Sequence, residues 1–227
     1  MRPGMPSARL AASILSADFA RLGEQIKAVE PHADIIHVDV MDAHFVPPLT
    51  IGPVVVESLR PVTDRPLHAH LMVEAPERLL EDFAAAGTDI ATFHLEAAAA
   101  PGDVVRRVRT AGMQPGIAVN PETEVASVFP YLDGLDNVIV MTLARTGWAG
   151  QPFQESSLPK IETVRKEIDR RGLPVDIVVD GGIDERSASR CLAAGATVLA
   201  AASSIFKAVD PAEAAAALAR LAREERP

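Results

Sequence analysis

Cysteine is nearly absent: Cys191 is the only one in 227 residues. An internal disulfide and a cysteine-rich metal cluster are therefore excluded, which suits a reducing compartment. Cys191 falls in a helical stretch, 187–194, and reads as a buried, inert thiol. Positive charge is also in short supply, with 22 Lys+Arg against 31 Asp+Glu and a formal net charge of −9. That balance argues against a nucleic acid or an anionic membrane surface as partner. No apolar run approaches the roughly 20 residues a membrane helix needs. The apolar piece 10–15 is too brief for a signal-peptide core and runs straight into Asp18, so a cytoplasmic protein is expected. Lysines at predicted strand ends are missing as well, since Lys27, Lys160, Lys166 and Lys207 fall in helices or late loops. This removes the group that an aldol-type lyase or a decarboxylase would ordinarily position.

What is present is a globular balance of 48% hydrophobic and 23% charged residues, in a chain long enough to bury a full core without staples. Short β-branched or aliphatic runs alternate with amphipathic segments. Strands are predicted at 11–15, 34–41, 66–72, 89–94, 114–119, 137–141, 175–179 and 197–201. Helices are predicted near 19–29, 53–59, 76–86, 103–111, 121–129, 158–171, 185–194 and 211–223. Gly87, Gly112, Gly172 and Gly195 each follow a predicted helix, where a left-handed backbone ends it. Eight such units argue an α/β chain with a parallel sheet closed into a (β/α)8 TIM barrel. One domain spanning 1–227, with an ordered core of about 8–225, is expected; an open doubly wound sheet is the alternative on pattern alone.

A barrel puts chemistry at the carboxyl ends of its strands. In 34–41 the period of two places His37, Asp39 and Met41 on one face and Ile36, Val38 and Val40 on the other. The third strand repeats the anomaly with His68, His70 and Met72, and the seventh ends in Asp180 before Gly181 and Gly182. A lone inward histidine reads first as a hydrogen-bonded core residue. Four polar groups on three strand ends, however, would cost several kcal/mol if left unpaired in a dry barrel mouth. Two imidazoles and two carboxylates suit one divalent ion such as zinc, iron(II), manganese or cobalt. Backbone amides in the loops after the sixth, seventh and eighth strands could hold a phosphate without net positive charge. The candidates are Gly147, Trp148, Ala149 and Gly150, then Gly181 and Gly182, then Ala202 and Ser203; the bland reading is that these glycines only close tight turns. Met41, Met72 and Met141 read first as core packing, His68 and His94 as structural or supporting groups, and Asp42 as orienting a neighbouring histidine.

Several of these stretches carry a resemblance. Residues 13–19 (SILSADF), 37–42 (HVDVMD), 44–47 (HFVP), 70–73 (HLMV), 150–153 (GQPF) and 179–183 (VDGGI) closely resemble the ribulose-phosphate 3-epimerase family, in order and across nearly the whole chain. The resemblance implies a metal-dependent isomerase that inverts carbon 3 of a ketopentose 5-phosphate. It implies His37, Asp39, His70 and Asp180 as metal ligands, Asp39 and Asp180 as the proton-transfer pair, and Ser13 and His70 in contact with substrate. The chemistry is coherent: the carbon-3 hydrogen is acidic because the carbon-2 carbonyl takes up charge as an enediolate, which a Lewis acid stabilises. Inversion needs one ionised and one protonated carboxyl on opposite faces. A small sugar phosphate and a homo-oligomer are the expected partners.

The pattern departs from the family mainly between Thr142 and Gln151, where one residue is inserted and Ala149 replaces a glycine. Ala43 and Ala202 also stand in place of glycine, and Pro48 in place of asparagine. An added β-carbon near a phosphate alters the allowed backbone angle, while Arg145 offers a charged contact. A six-carbon ketose phosphate such as allulose 6-phosphate is therefore the nearest alternative substrate. A barrel that binds metal and phosphate without turnover is a further one.

Overall fold

The computed structural model describes residues 7–224, so Met1 to Pro6 and the end of the expected core at Glu225 lie outside the described residues. Eight parallel strands close into a barrel in sequence order. They are β1 (Arg9–Ser13), β2 (Ile35–Met41), β3 (Leu67–Met72), β4 (Ile90–His94), β5 (Gln114–Val119), β6 (Asn137–Met141), β7 (Asp176–Asp180) and β8 (Val198–Ala201). The helices are α1 (Leu22–Val29), α2 (Pro53–Leu59), α3 (Leu80–Ala85), α4 (Pro101–Thr110), α5 (Leu158–Arg171), α6 (Glu185–Ala194), α7 (Ser203–Phe206) and α8 (Pro211–Glu224). Among the described residues, no helix is long and apolar enough to cross a membrane.

The strand alternation sorts side chains into two cores. Ile36, Val38 and Val40 of β2 and Leu67, Ala69 and Leu71 of β3 face outward into the layer between sheet and helices. That layer also takes the apolar stripe of α4, namely Val104, Val105 and Val108. The barrel interior is a separate cluster that includes Ala11, Ile35, Ile90, Ile139, Val178 and Val198. Mixing the two faces would need a one-residue slip in register, which would turn every apolar side chain of a strand the wrong way.

Three expectations need correction. The first strand begins two residues earlier than predicted, and Ile14–Ser16 form a 3-10 turn instead of its end. The segment after β5 is not an α-helix over 121–129 but a 3-10 helix at Val125–Gly134 with Pro130 inside it. Proline lacks an N–H and its ring collides with the carbonyl four residues back, so the α-helical ladder is not available there. An additional short helix, α7, follows β8 directly. The helix-ending glycines behave as expected, with φ of 91, 87, 66 and 109° at Gly87, Gly112, Gly172 and Gly195.

The turn after β7 is held by the cap of α6. Asp184 accepts from the Ser187 amide at 2.8 Å, and the Ser187 hydroxyl reaches the Gly182 carbonyl at 2.9 Å. A cap of this kind contributes about 1 kcal/mol, and here it also fixes the glycine turn beside Asp180.

Candidate active site

Register carries the strand-borne residues to one place. Parallel pairing sets Asp39 beside His70, His37 beside His68 and Met41 beside Met72, while Met141 pairs with Asp180. Asp39, His70, Met41, Met72, Met141 and Asp180 sit in the carboxyl-terminal half of their strands, and His37 and His68 lie one layer deeper. His37, Asp39, His70 and Asp180 each offer a ligand atom, and these atoms all lie within 4.8 Å of one another. His70 Nδ1 is 3.3 Å from Asp39 Oδ1 and 3.1 Å from Asp180 Oδ2. His37 Nε2 lies 3.5 and 3.7 Å from the same two carboxylates. The other oxygen of Asp39, Oδ2, accepts from the Ser13 hydroxyl at 2.6 Å.

These four residues fit a divalent cation. His37 Nε2 and His70 Nδ1 are buried and, among the described residues, have no hydrogen-bond partner. A buried polar atom left without a partner calls for an unseen one, and both atoms face two carboxylates across a gap of ligand size. Burial alone would push Asp39 up, but the imidazoles of His37 and His70 beside it hold its carboxyl well below the ordinary range. His70 moves the other way. Burial pulls it down, the nearby carboxylates of Asp180 and Asp39 outweigh that, and the result is raised to about 9.

Behind each imidazole stands a second one. His37 Nδ1 lies 3.3 Å from His68 Nδ1, and His68 Nε2 lies 2.8 Å from Thr92 Oγ1. The Thr92 hydroxyl donates to Asn137 Oδ1 at 2.8 Å. Gly116 on β5 leaves the room for this, since a β-carbon there would overlap both Asn137 and Thr92. On the other side, His70 Nε2 lies 2.9 Å from His94 Nε2, and His94 Nδ1 lies 3.4 Å from Glu96 Oε2. Burial pushes His68 well below its ordinary value and His94 down to about 4, so both are neutral rings. Asp42 reaches neither His37 nor His70; its backbone carbonyl meets the ring Nδ1 of His44 at 2.8 Å. Its carboxylate accepts from the backbone amides of His44, Phe45 and Glu74, tying the loop after β2 to the end of β3.

Above the cluster opens a cleft of about 470 Å³. Asp39 and Asp180 form its floor with Ser13, and Met41, Met72 and Met141 give it an apolar, polarizable wall. His37 and His70 lie behind the carboxylates, fully buried. The far wall is made by Gly147, Trp148, Ala149 and Gly150, by Gly181 and Gly182, and by Ala202 and Ser203, so the three loops picked out for a phosphate do converge. Gly147 and Gly150 have φ of 96 and 75°, and Gly181 and Gly182 have 120 and 66°, values that glycine adopts freely. Ala202 sits at φ −113°, so its methyl needs no left-handed backbone. Ala43, by contrast, adopts φ 61°. Arg145 does not line this cleft. It lines a groove on the other side of the loop, with His44 and Glu122. The loop is clasped by Gln151, whose side chain bonds the Arg145 amide and carbonyl and the Trp148 carbonyl.

The residues missed from sequence are Thr92, Asn137 and Glu96. A threonine or asparagine in an inward strand position carries no signal of its own; only the lateral register shows which histidine it serves.

The model of the ribulose-phosphate 3 epimerase family matches residues 9–206. The chain is 46% identical over 200 residues to the ribulose-phosphate 3-epimerase of Bacillus subtilis, covering 87% of this chain and 92% of that protein. It is 45% identical over 205 residues to the chloroplastic ribulose-5-phosphate-3-epimerase of Arabidopsis thaliana, covering 89% and 73%. Among solved structures, the 3-hexulose-6-phosphate synthase of Salmonella typhimurium superposes with a TM-score of 0.74 at 17% identity, covering 96% of this chain and 100% of that one. The 3-keto-L-gulonate-6-phosphate decarboxylase of Vibrio cholerae superposes with 0.74 at 14%, covering 98% and 100%. At such identities these two speak for the barrel alone. The family match over most of the chain, together with close relatives aligned nearly end to end, places this protein in the ribulose-phosphate 3-epimerase family.

Proposed function

We propose that the chain is an isomerase that interconverts D-ribulose 5-phosphate and D-xylulose 5-phosphate by proton transfer at carbon 3. The observation that carries this reading is the placement of Asp39 and Asp180, which come from β2 and β7 to one cleft floor and share the imidazole of His70. His37, Asp39, His70 and Asp180 would hold one divalent ion, zinc, iron(II), manganese or cobalt, whose bound charge favours electron density on the carbon-2 oxygen. Of the two carboxyls, one removes the carbon-3 proton while the other returns one to the opposite face. The Ser13 hydroxyl donates to Asp39 Oδ2 and so holds that carboxylate with Oδ1 turned to His37 and His70. The methionine wall excludes water from the carbanionic carbon. The loops at 147–150, 181–182 and 202–203 hold the phosphate by their amides.

Incubating the metal-loaded protein with ribulose 5-phosphate in deuterium oxide tests this. Deuterium at carbon 3 with appearance of xylulose 5-phosphate is expected. Absence of exchange would leave a metal-binding and phosphate-binding barrel without turnover, and faster turnover of allulose 6-phosphate would move the assignment to the six-carbon sugar. The same reading takes the whole chain, 1–227, as one barrel domain, cytoplasmic and homo-oligomeric, with neither nucleic acid nor membrane as partner; light scattering on the purified protein tests the oligomer.

A further inference from the structure

The two buried imidazole arms end differently, and the difference assigns work to a residue outside the cleft. The His37 arm runs through His68 and Thr92 to the neutral amide of Asn137. The His70 arm runs through His94 to a carboxylate, Glu96. The geometry points to Glu96 as a positioning residue that, acting through His94, sets the proton placement and orientation of His70 and ties that ligand to the loop after β6. This rests on the reading that a divalent ion sits among the four strand-end residues.

The argument is one of counting protons. His70 Nε2 and His94 Nε2 face each other at 2.9 Å, so one proton lies between them. For His70 Nδ1 to offer a lone pair to a cation, a neutral ring must carry its proton on Nε2 and donate it to His94. His94 then accepts at Nε2 and carries its own proton on Nδ1, a buried nitrogen without a hydrogen bond among the described residues, whose nearest charge is Glu96 Oε2 at 3.4 Å. The carboxylate favours that placement electrostatically, and nothing else on the arm does so. Glu96 is built for this. Its Oε1 is occupied by the Asn120 amide at 2.8 Å and by the Thr123 hydroxyl, which leaves Oε2 to His94. His94, the Thr123 hydroxyl and the backbone amides of Asn120 and Glu96 itself together outweigh burial and hold the Glu96 carboxyl down to about 2. Asn120 in turn accepts from the Thr146 hydroxyl at 2.7 Å, so His70 on β3 and the loop after β6 share one path of polar contacts.

Glu96→Gln keeps an oxygen for Asn120 and Thr123 but turns an amide N–H₂ toward His94 Nδ1–H. Two donors then meet, His94 is driven to the other tautomer, and its Nε2–H opposes that of His70. Glu96→Asp keeps the charge. The test titrates the metal-free wild type and both variants with Co(II), without sugar, reading the dissociation constant and the visible Co(II) spectrum. It also records the imidazole 1H–15N correlation of wild type loaded with Zn(II). Expected are a Kd raised about 10- to 100-fold in E96Q with an altered spectrum, a smaller rise in E96D, thermal midpoints of the metal-free chains within a few degrees, and His94 protonated on Nδ1. Wild-type affinity and spectrum in E96Q, or His94 protonated on Nε2 in wild type, would overturn the assignment. The wild-type correlation decides the matter even if E96Q does not fold. Failure of the wild type itself to bind Co(II) would instead remove the metal reading, and this inference with it.

Discussion

His37, Asp39, His70 and Asp180 stand on β2, β3 and β7, where each side chain's direction follows from a period of two and its neighbours from parallel register. Residues 147–150 form the opposite rim from a loop, and Ala43 bends the loop after β2 beside the neighbouring groove; in both, direction depends on individual backbone angles such as φ 96° at Gly147 and 61° at Ala43. The strand-borne half is over-determined: moving Asp39 would mean moving a strand held on both sides. The loop-borne half is a set of separate local solutions, and it is also where the chain departs from its family's pattern. Under the proposed function, reaction chemistry rests on the part of the mouth that strand register fixes, and recognition of the ligand's tail on the part set by single backbone angles.

The largest effect should come from the strand side. Asp39→Asn and Asp180→Asn each remove a ligand charge and a proton carrier, and kcat at saturating metal is expected to fall by at least about 10²-fold. Near-normal turnover by either purified variant would break the comparison at its centre. His37→Ala should next lower metal occupancy, measured by elemental analysis after dialysis. The weakening should exceed the roughly 10- to 100-fold attributed to losing an outer partner, and undiminished occupancy would show that His37 is not a ligand. On the loop side, Gly147→Ala meets both a positive φ and the Val46 side chain at 2.8 Å. A left-handed alanine costs about 1–3 kcal/mol, so KM for ribulose 5-phosphate should rise about tenfold while kcat changes by less than about threefold. A loss confined to kcat would mean that the loop acts on the chemistry. Smallest is Ala43→Gly, which relieves an alanine at φ 61°. Net stabilisation of about 0.5–1 kcal/mol is expected, since relief of about 1–2 kcal/mol is partly offset by the greater freedom of glycine when unfolded. Urea unfolding with unchanged slope checks it, and a loss of stability would show that this bend is not strained.

Legibility followed the same division. The barrel, the strand faces and the convergence of the four polar strand ends could be read from alternation and punctuation, because each depends only on a short period in the chain. After β5 the helical stretch lies later than apolar spacing suggests, at Val125–Gly134, and runs through Pro130, where an α-helical ladder cannot continue. Arg145 looked like a phosphate contact because charge can be read from sequence while loop direction cannot; it faces a different groove. The outer partners were hidden for another reason. Asn137 reaches its arm through Thr92 on a neighbouring strand, 45 positions away in sequence, and Glu96 follows His94 by two residues in a turn where its direction is not set by the strand period.

The bare backbone at Gly116 has a reach out of proportion to its size. Because Asn137 and Thr92 occupy the volume its side chain would take, a single methyl group at that position would have to expel the terminus of the His37 arm. The vacancy on β5 is thus a constraint on redesign, since the displacement caused by an alanine there would be passed on through Thr92 and His68 to the ring of His37.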